Sequence, residues 1–192
     1  MNGSAWAVWF VGLPGSGKSS VAGRVAHRLR ENGLEVAYLQ MDERRRVYFP
    51  RPEYTTGERN KAYELFAREA ADMVQGGRNV VMDGTAPRVH MRRKARELIA
   101  RFAEIHIRCS LPTAMQREAD RPQGKVMADL YAKALERRET GREFPGLGEV
   151  VGVDVPFEED PMAELRVDND APKSLEQAVS EVMDFLLRWI RT

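Results

Sequence analysis

The stretch Gly12-Leu13-Pro14-Gly15-Ser16-Gly17-Lys18-Ser19 decides how this 192-residue chain is read. It fits G-x-x-x-x-G-K-[ST] in full. Glycines in that pattern let backbone N–H groups turn inward around phosphate oxygens. Lys18 is then placed to reach the β- and γ-phosphates of a nucleotide, and the Ser19 hydroxyl to ligate Mg²⁺. The flanking residues give the pattern its context. Ala5–Val11 is an apolar run rich in Val, Trp and Phe, which predicts a buried strand. Ser20–Arg30 spaces Val21, Ala22, Val25, Ala26 and Leu29 on one helical face, and Asn32-Gly33 ends that helix. A strand, a glycine loop and a helix in that order aim the helix's positive end at the phosphates. Gly12, Gly15, Ser16, Gly17, Lys18 and Ser19 form the candidate nucleotide-binding loop. The N-K-x-D signature that specifies guanine is missing, since Asn60-Lys61 continues as Ala62-Tyr63, so ATP with Mg²⁺ is expected.

The rest of the chain alternates in the same way. Strands are expected at Val36–Leu39, at Val80–Met82 ending on Asp83, at Ile105–Cys109 and at Leu165–Val167. Helices are expected at Glu58–Gln75, Arg88–Phe102, Pro112–Glu118, Asp129–Glu139 and Ser174–Ile190. Residues 41–57 read as irregular, and residues 140–163 as a long ordered loop of the kind that is usually functional. The alternation implies a three-layer α/β fold of five mostly parallel strands with helices on both faces and a lid segment. The whole chain, residues 1–192, reads as one domain, with the lid and acceptor loops at about 119–160. Ligands of such sheets sit outside the carboxyl ends of the strands.

Composition narrows the class. Thirty Lys+Arg against 29 Asp+Glu leave a net charge of +1, which argues against nucleic-acid binding and gives no pull toward anionic membranes. The balance is uneven: residues 1–138 carry 25 basic and 16 acidic side chains, and residues 139–192 carry 5 and 13. Positive charge therefore gathers where one or two small anions would sit. The single cysteine, Cys109, excludes an intrachain disulfide, and His27, His90 and His106 lack neighbours at zinc-ligand spacing. The N-terminal apolar stretch lacks a basic leader and runs into the glycine loop, so it reads as a strand; the expected compartment is the cytoplasm.

Two carboxylates fall at strand ends. Asp42 follows the second strand and fits a base that orients or deprotonates an accepting hydroxyl. Asp83, after Val80-Val81-Met82, fits the Mg²⁺ shell. Their structural alternatives are a helix N-cap and a turn residue. Arginines crowd the same rim, and forked guanidinium donors match phosphoryl oxygens. Arg117 and Arg121 are candidates for covering the transferring group, and Arg45 and Arg59 for holding an anionic acceptor; Arg46, Arg93 and Lys94 read as solvated surface. Phe144 in the long loop either stacks on a base or anchors the loop. Cys109, His106, Trp6, Trp9 and Trp189 read as packing residues.

These residues together resemble the adenylylsulfate kinase family over almost the whole chain. Gly12–Ser20 is similar to that family's phosphate loop, which adds Ser20 to the nucleotide set. Leu39-Gln40-Met41-Asp42-Glu43-Arg44-Arg45 falls where the family has L-D-G-D-N-V-R, whose second Asp is the proposed base and whose Arg contacts the substrate. Leu130-Tyr131-Ala132-Lys133-Ala134 resembles L-Y-x-K-A, and Phe144-Pro145-Gly146-Leu147 resembles F-[TP]-G-[IV], whose Phe sandwiches the substrate adenine. Leu165–Asn169 resembles L-x-[IVL]-D-T, an element near the ATP adenine, which brings in Asp168; Lys133 joins the substrate set. The chain departs at Gln40 and Glu43, at Asp83-Gly84-Thr85-Ala86-Pro87-Arg88 where the family has S-P-Y, and in extra residues at Ala119–Ala128 and Gly148–Val153. The resemblance implies a cytoplasmic kinase that moves the γ-phosphoryl of MgATP to the 3′-hydroxyl of adenosine 5′-phosphosulfate. Two readings stay open beside it: a kinase of another small or nucleotide-linked alcohol, and a nucleotide-dependent regulatory module. Whether the chain forms a homodimer is also left open.

Overall fold

A computed structural model describes residues 4–52, 55–120 and 129–191. The elements run β1 (Ala7–Val11), α1 (Lys18–Glu31), β2 (Val36–Gln40), α2 (Met41–Tyr48), α3 (Thr56–Gln75), β3 (Asn79–Asp83), α4 (Val89–Leu98), β4 (Phe102–Arg108), α5 (Leu111–Ala119), α6 (Leu130–Thr140), β5 (Leu165–Asp168) and α7 (Leu175–Trp189). The strands lie in the order β2-β3-β1-β4-β5, and every pairing is parallel, where the sequence suggested mostly parallel.

β1 is buried throughout because it is central and covered on both faces. Trp6, Val8 and Phe10 pack with the inner faces of α1 and α7, while Ala7, Trp9 and Val11 pack with α3 and α4. The helical spacing read in α1 is met in full: Val21, Ala22, Val25, Ala26 and Leu29 are all buried. A third, smaller cluster joins Ala114 of α5, Tyr131 and Ala134 of α6, and Leu147 and Val150 of the following loop.

Two expectations need correction. Residues 41–57 are not irregular, since they hold α2 and the start of α3. α2 buries only Met41, so it carries no apolar period; Arg44–Glu69 and Arg45–Glu58 ion pairs bind it to α3 instead. The helix expected over Arg88–Phe102 stops at Leu98. Ile99 turns extended at the C-cap and stays buried, and Phe102 already opens β4.

The register brings the strand ends level. Asp83 of β3 pairs with Phe10 of β1 on one side and Gln40 of β2 on the other. The phosphate loop, Asp42 and Asp83 therefore emerge on one rim.

Candidate active site

The glycines of the phosphate loop are required by space as well as by torsion. Gly12 has φ +145°, and a Cβ there would stand 2.3 Å from the Ile107 carbonyl oxygen; at Gly15, φ +82°, it would stand 2.1 Å from that of Ala114. Lys18 is buried, and its Nζ donates to the Leu13 carbonyl at 3.4 Å. α1 begins at Lys18 with Gly17 as its N-cap, which supplies no side-chain cap. Ser16 Oγ is buried and has no hydrogen-bond partner among the described residues.

Three side chains from distant elements brace this loop. Tyr131 Oη donates to the Pro14 carbonyl at 2.8 Å. Asn169 Nδ2 donates to the Ser16 carbonyl at 2.7 Å. Arg117 of α5 donates to the Asn169 carbonyl at 2.7 Å and to that of Ser16 at 3.5 Å. Asn169 was missed in the sequence, where its neighbour Asp168 drew attention; Asp168 is exposed and forms an ion pair with Arg108 at 2.6 Å, across paired strand positions. The signal available was the residue just beyond the strand end, where the side chain turns from the sheet edge toward the loop.

Asp83 is buried at the carboxyl end of β3. Tyr38 Oη donates to its Oδ2 at 3.0 Å, while Oδ1 is buried with no hydrogen-bond partner among the described residues. Burial pushes the Asp83 carboxyl above its ordinary range, against the Lys18 charge and hydrogen bonds from Ser19 and Tyr38 that pull it down. Burial and the facing Asp83 charge likewise push the Tyr38 phenol up, so it stays a donor. An inward-turned glycine loop, a buried lysine, a serine hydroxyl and a carboxylate oxygen lacking a partner are the donor set that a magnesium nucleotide uses, and the residues fit it.

Lys18, Ser19 and Asp83 share a cleft of about 200 Å³ with Asp42, Arg45 and Arg59. Asp42 sits in the first turn of α2 and is exposed. Arg45 lies 3.7 Å from Glu58, and Arg59 lies 3.4 Å from Glu149. Arg46, read as plain surface, lines the cleft too. Glu118 was not anticipated. It is buried in α5, lines the cleft, and accepts the Leu130 N–H at 3.0 Å.

Other candidates stand outside this cleft. Ser20 is exposed within α1 and is not among its lining residues. Phe144 is half-buried against the α5–α6 cluster, with the Arg142 guanidinium 5.0 Å from its ring centroid. Lys133 is half-buried on α6 and also lies outside the lining. Arg121 lies outside the described residues. His106 packs as expected, stacked on Phe157 at 4.7 Å, and Cys109 packs into the third cluster.

The sequence profile of the family described as adenylylsulphate kinase matches residues 4–168. The chain belongs to this family. An adenylyl-sulfate kinase of Bacillus velezensis is 30% identical over 181 residues, covering 93% of this chain and 83% of that protein. One from Halothermothrix orenii is 28% identical over 184 residues, covering 93% and 88%. Among solved structures, an APS kinase of Mycobacterium tuberculosis in complex with AMPPNP and APS superposes with a TM-score of 0.77 at 26% identity, covering 96% of this chain and 98% of that one. A gluconokinase of Sinorhizobium meliloti superposes at 0.61 and 20% identity, covering 98% and 95%, a likeness of fold alone. As a member of the adenylylsulphate kinase family, this chain is a phosphotransferase.

Proposed function

We propose that this chain transfers the γ-phosphoryl group of MgATP to the 3′-hydroxyl of adenosine 5′-phosphosulfate, giving 3′-phosphoadenosine 5′-phosphosulfate. The observation that carries the reading is one cleft shared by a phosphate-loop lysine and serine, two strand-end carboxylates and two arginines.

Lys18 and the inward N–H groups of the loop and of α1 hold the nucleotide phosphates. Ser19 and the partner-free oxygen of Asp83 would hold Mg²⁺ or its water shell, while Tyr38 holds the other Asp83 oxygen. Magnesium, when bound, neutralises charge on the β- and γ-phosphates. Asp42 accepts the proton of the attacking hydroxyl, and its exposed place on the cleft wall leaves it open to an incoming acceptor. Arg45 and Arg59 hold the acceptor's phosphosulfate. Arg117 braces the loop from outside and is close enough to the Ser16 backbone to lend its charge to the transfer.

The test is turnover of labelled ATP with adenosine 5′-phosphosulfate, beside a panel of other alcohols. Asp42→Asn is expected to lower turnover by at least about 100-fold while ATP binding persists. Full activity in that variant removes Asp42 from the mechanism. Preference for a different alcohol moves the acceptor assignment, and ATP hydrolysis that answers only to a protein partner favours a regulatory module.

A further inference from the structure

The acceptor arginine Arg59 is not waiting bare in the cleft. Its side chain is 13% exposed, and such a buried guanidinium needs a partner. Glu149 supplies two: its carboxylate Oε2 lies 3.4 Å from Arg59 Nη1, and its backbone carbonyl accepts from Arg59 Nη2. Thr56 Oγ1, in the first turn of the same helix as Arg59, donates to Glu149 Oε2 at 3.0 Å.

Glu149 belongs to Gly148–Val153, the short stretch that looks inserted in the sequence. The loop around it is rigidly built. The Val150 carbonyl accepts from the backbone N–H groups of Val153 at 3.1 Å and Asp154 at 2.8 Å. Asp154 Oδ2 accepts from the Val150 N–H and from Arg137, each at 2.6 Å, and Arg137 also donates to the Gly148 carbonyl at 2.9 Å. Val150 and Val151 are buried. The backbone of Glu149 is thus pinned on both sides, whereas its side chain is 41% exposed. The part free to move is the carboxylate, by rotation about its own side-chain bonds.

We propose that Glu149 is a built-in competitor at the acceptor site: its carboxylate holds Arg59 until the anionic group of the acceptor displaces it. The exchange itself needs only an anion at Arg59; that this anion is the phosphosulfate of the acceptor rests on the function proposed above. Two effects of the carboxylate oppose anion binding. It compensates the Arg59 charge, and after displacement it still repels the incoming group from a short distance. The retained carbonyl contact keeps Arg59 in place, so loss of the carboxylate strengthens the site rather than collapsing it.

Inorganic sulfate is the probe for the exchange. Thermal midpoints of the wild type, Glu149→Gln, Arg59→Ala and the double variant are followed against sulfate concentration with MgADP present. Glu149→Gln is expected to lower the sulfate concentration needed for half-maximal stabilisation by about fivefold, and to do so only while Arg59 is present. Equal responses in the wild type and Glu149→Gln, or a gain that survives Arg59→Ala, overturn the proposal. Kinetics supply the second arm: with adenosine 5′-phosphosulfate, Glu149→Gln lowers the acceptor KM by a similar factor and leaves the ATP KM where it was. An acceptor KM that rises in Glu149→Gln also overturns it. If the sulfate arm succeeds and none of the proteins phosphorylates adenosine 5′-phosphosulfate, the exchange stands and the acceptor assignment falls.

Discussion

Burial raises the pKa of the Asp83 carboxyl although Lys18, Ser19 and Tyr38 all favour its charged form. Desolvation outweighs them because the group lies deep at the strand end, with one oxygen left without a partner. The folded-state pKa therefore stands above the unfolded one. Linkage then fixes the sign: stability is greatest below the unfolded value and falls as pH rises from it through the folded one. Asp83→Asn is accordingly expected to raise the thermal midpoint at neutral pH, with the gain vanishing in acid, while turnover drops at least about tenfold. Scanning calorimetry across pH, set beside an activity assay, checks both halves. A lower midpoint at neutral pH would mean that the charged form is stabilised in the fold. Residues of this kind were legible beforehand, since a carboxylate directly after an apolar run announces a strand end. Asn169 was not, because its role is a single hydrogen bond to Ser16, 153 positions away.

At the scale of elements, α6 shows how a long-range contact replaces a local signal. Its N-cap, Asp129, is left-handed with φ 61° and makes no side-chain cap. The Leu130 N–H is accepted instead by Glu118, the buried carboxylate of α5. Glu118→Ala should cost about 1–2 kcal/mol by loss of that cap, read from the urea midpoint, and Glu118→Gln should recover most of it because an amide oxygen still accepts. Equal loss in both variants would assign the effect to charge rather than to capping. The same logic explains α2. Its helix is made by ion pairs to α3, and periodicity reports only apolar faces. Helices that do bury a stripe, such as α1 and α7, were readable almost to the residue. α7 even announces its start with the reciprocal Ser174–Gln177 capping box.

Across the whole molecule, the uneven charge has a second use beside the anion site. Much of the basic surplus of residues 1–138 is paired with the acidic surplus beyond them: Arg28–Glu176, Arg59–Glu149, Arg88–Glu158, Arg96–Glu164, Arg108–Asp168 and Arg137–Asp154. The sequence reading set part of that surplus at an anion site and part on the solvated surface, and did not anticipate these pairings. Beneath these pairs lies a fully buried one, Arg92–Glu104 at 3.0 Å, at 0% and 1% exposure. Arg92 also donates to the carbonyls of Ala86, in the loop after β3, and of Glu158. Arg92→Leu should destabilise the fold by about 3–5 kcal/mol, because it leaves the buried Glu104 carboxyl without its ion-pair partner. Arg92→Leu with Glu104→Leu should lose less than the sum of the single changes, as chemical denaturation of the four proteins would show. Additive losses would mean that the two groups do not interact.

The sequence by itself determined the alternation of strands and helices, the phosphate loop, and the two strand-end carboxylates. Each is encoded locally, in a hydrophobic period or in glycines that no other residue can replace without striking a neighbouring carbonyl. Only the tertiary structure decided which arginine meets which carboxylate, that Asn169 rather than Asp168 braces the loop, and that Glu149 rather than Phe144 lines the cleft. Those outcomes depend on strand register and on loop backbones that bring together residues far apart in the chain. Charge carries no period, and a side chain's partner is chosen by geometry that exists only once the sheet has closed.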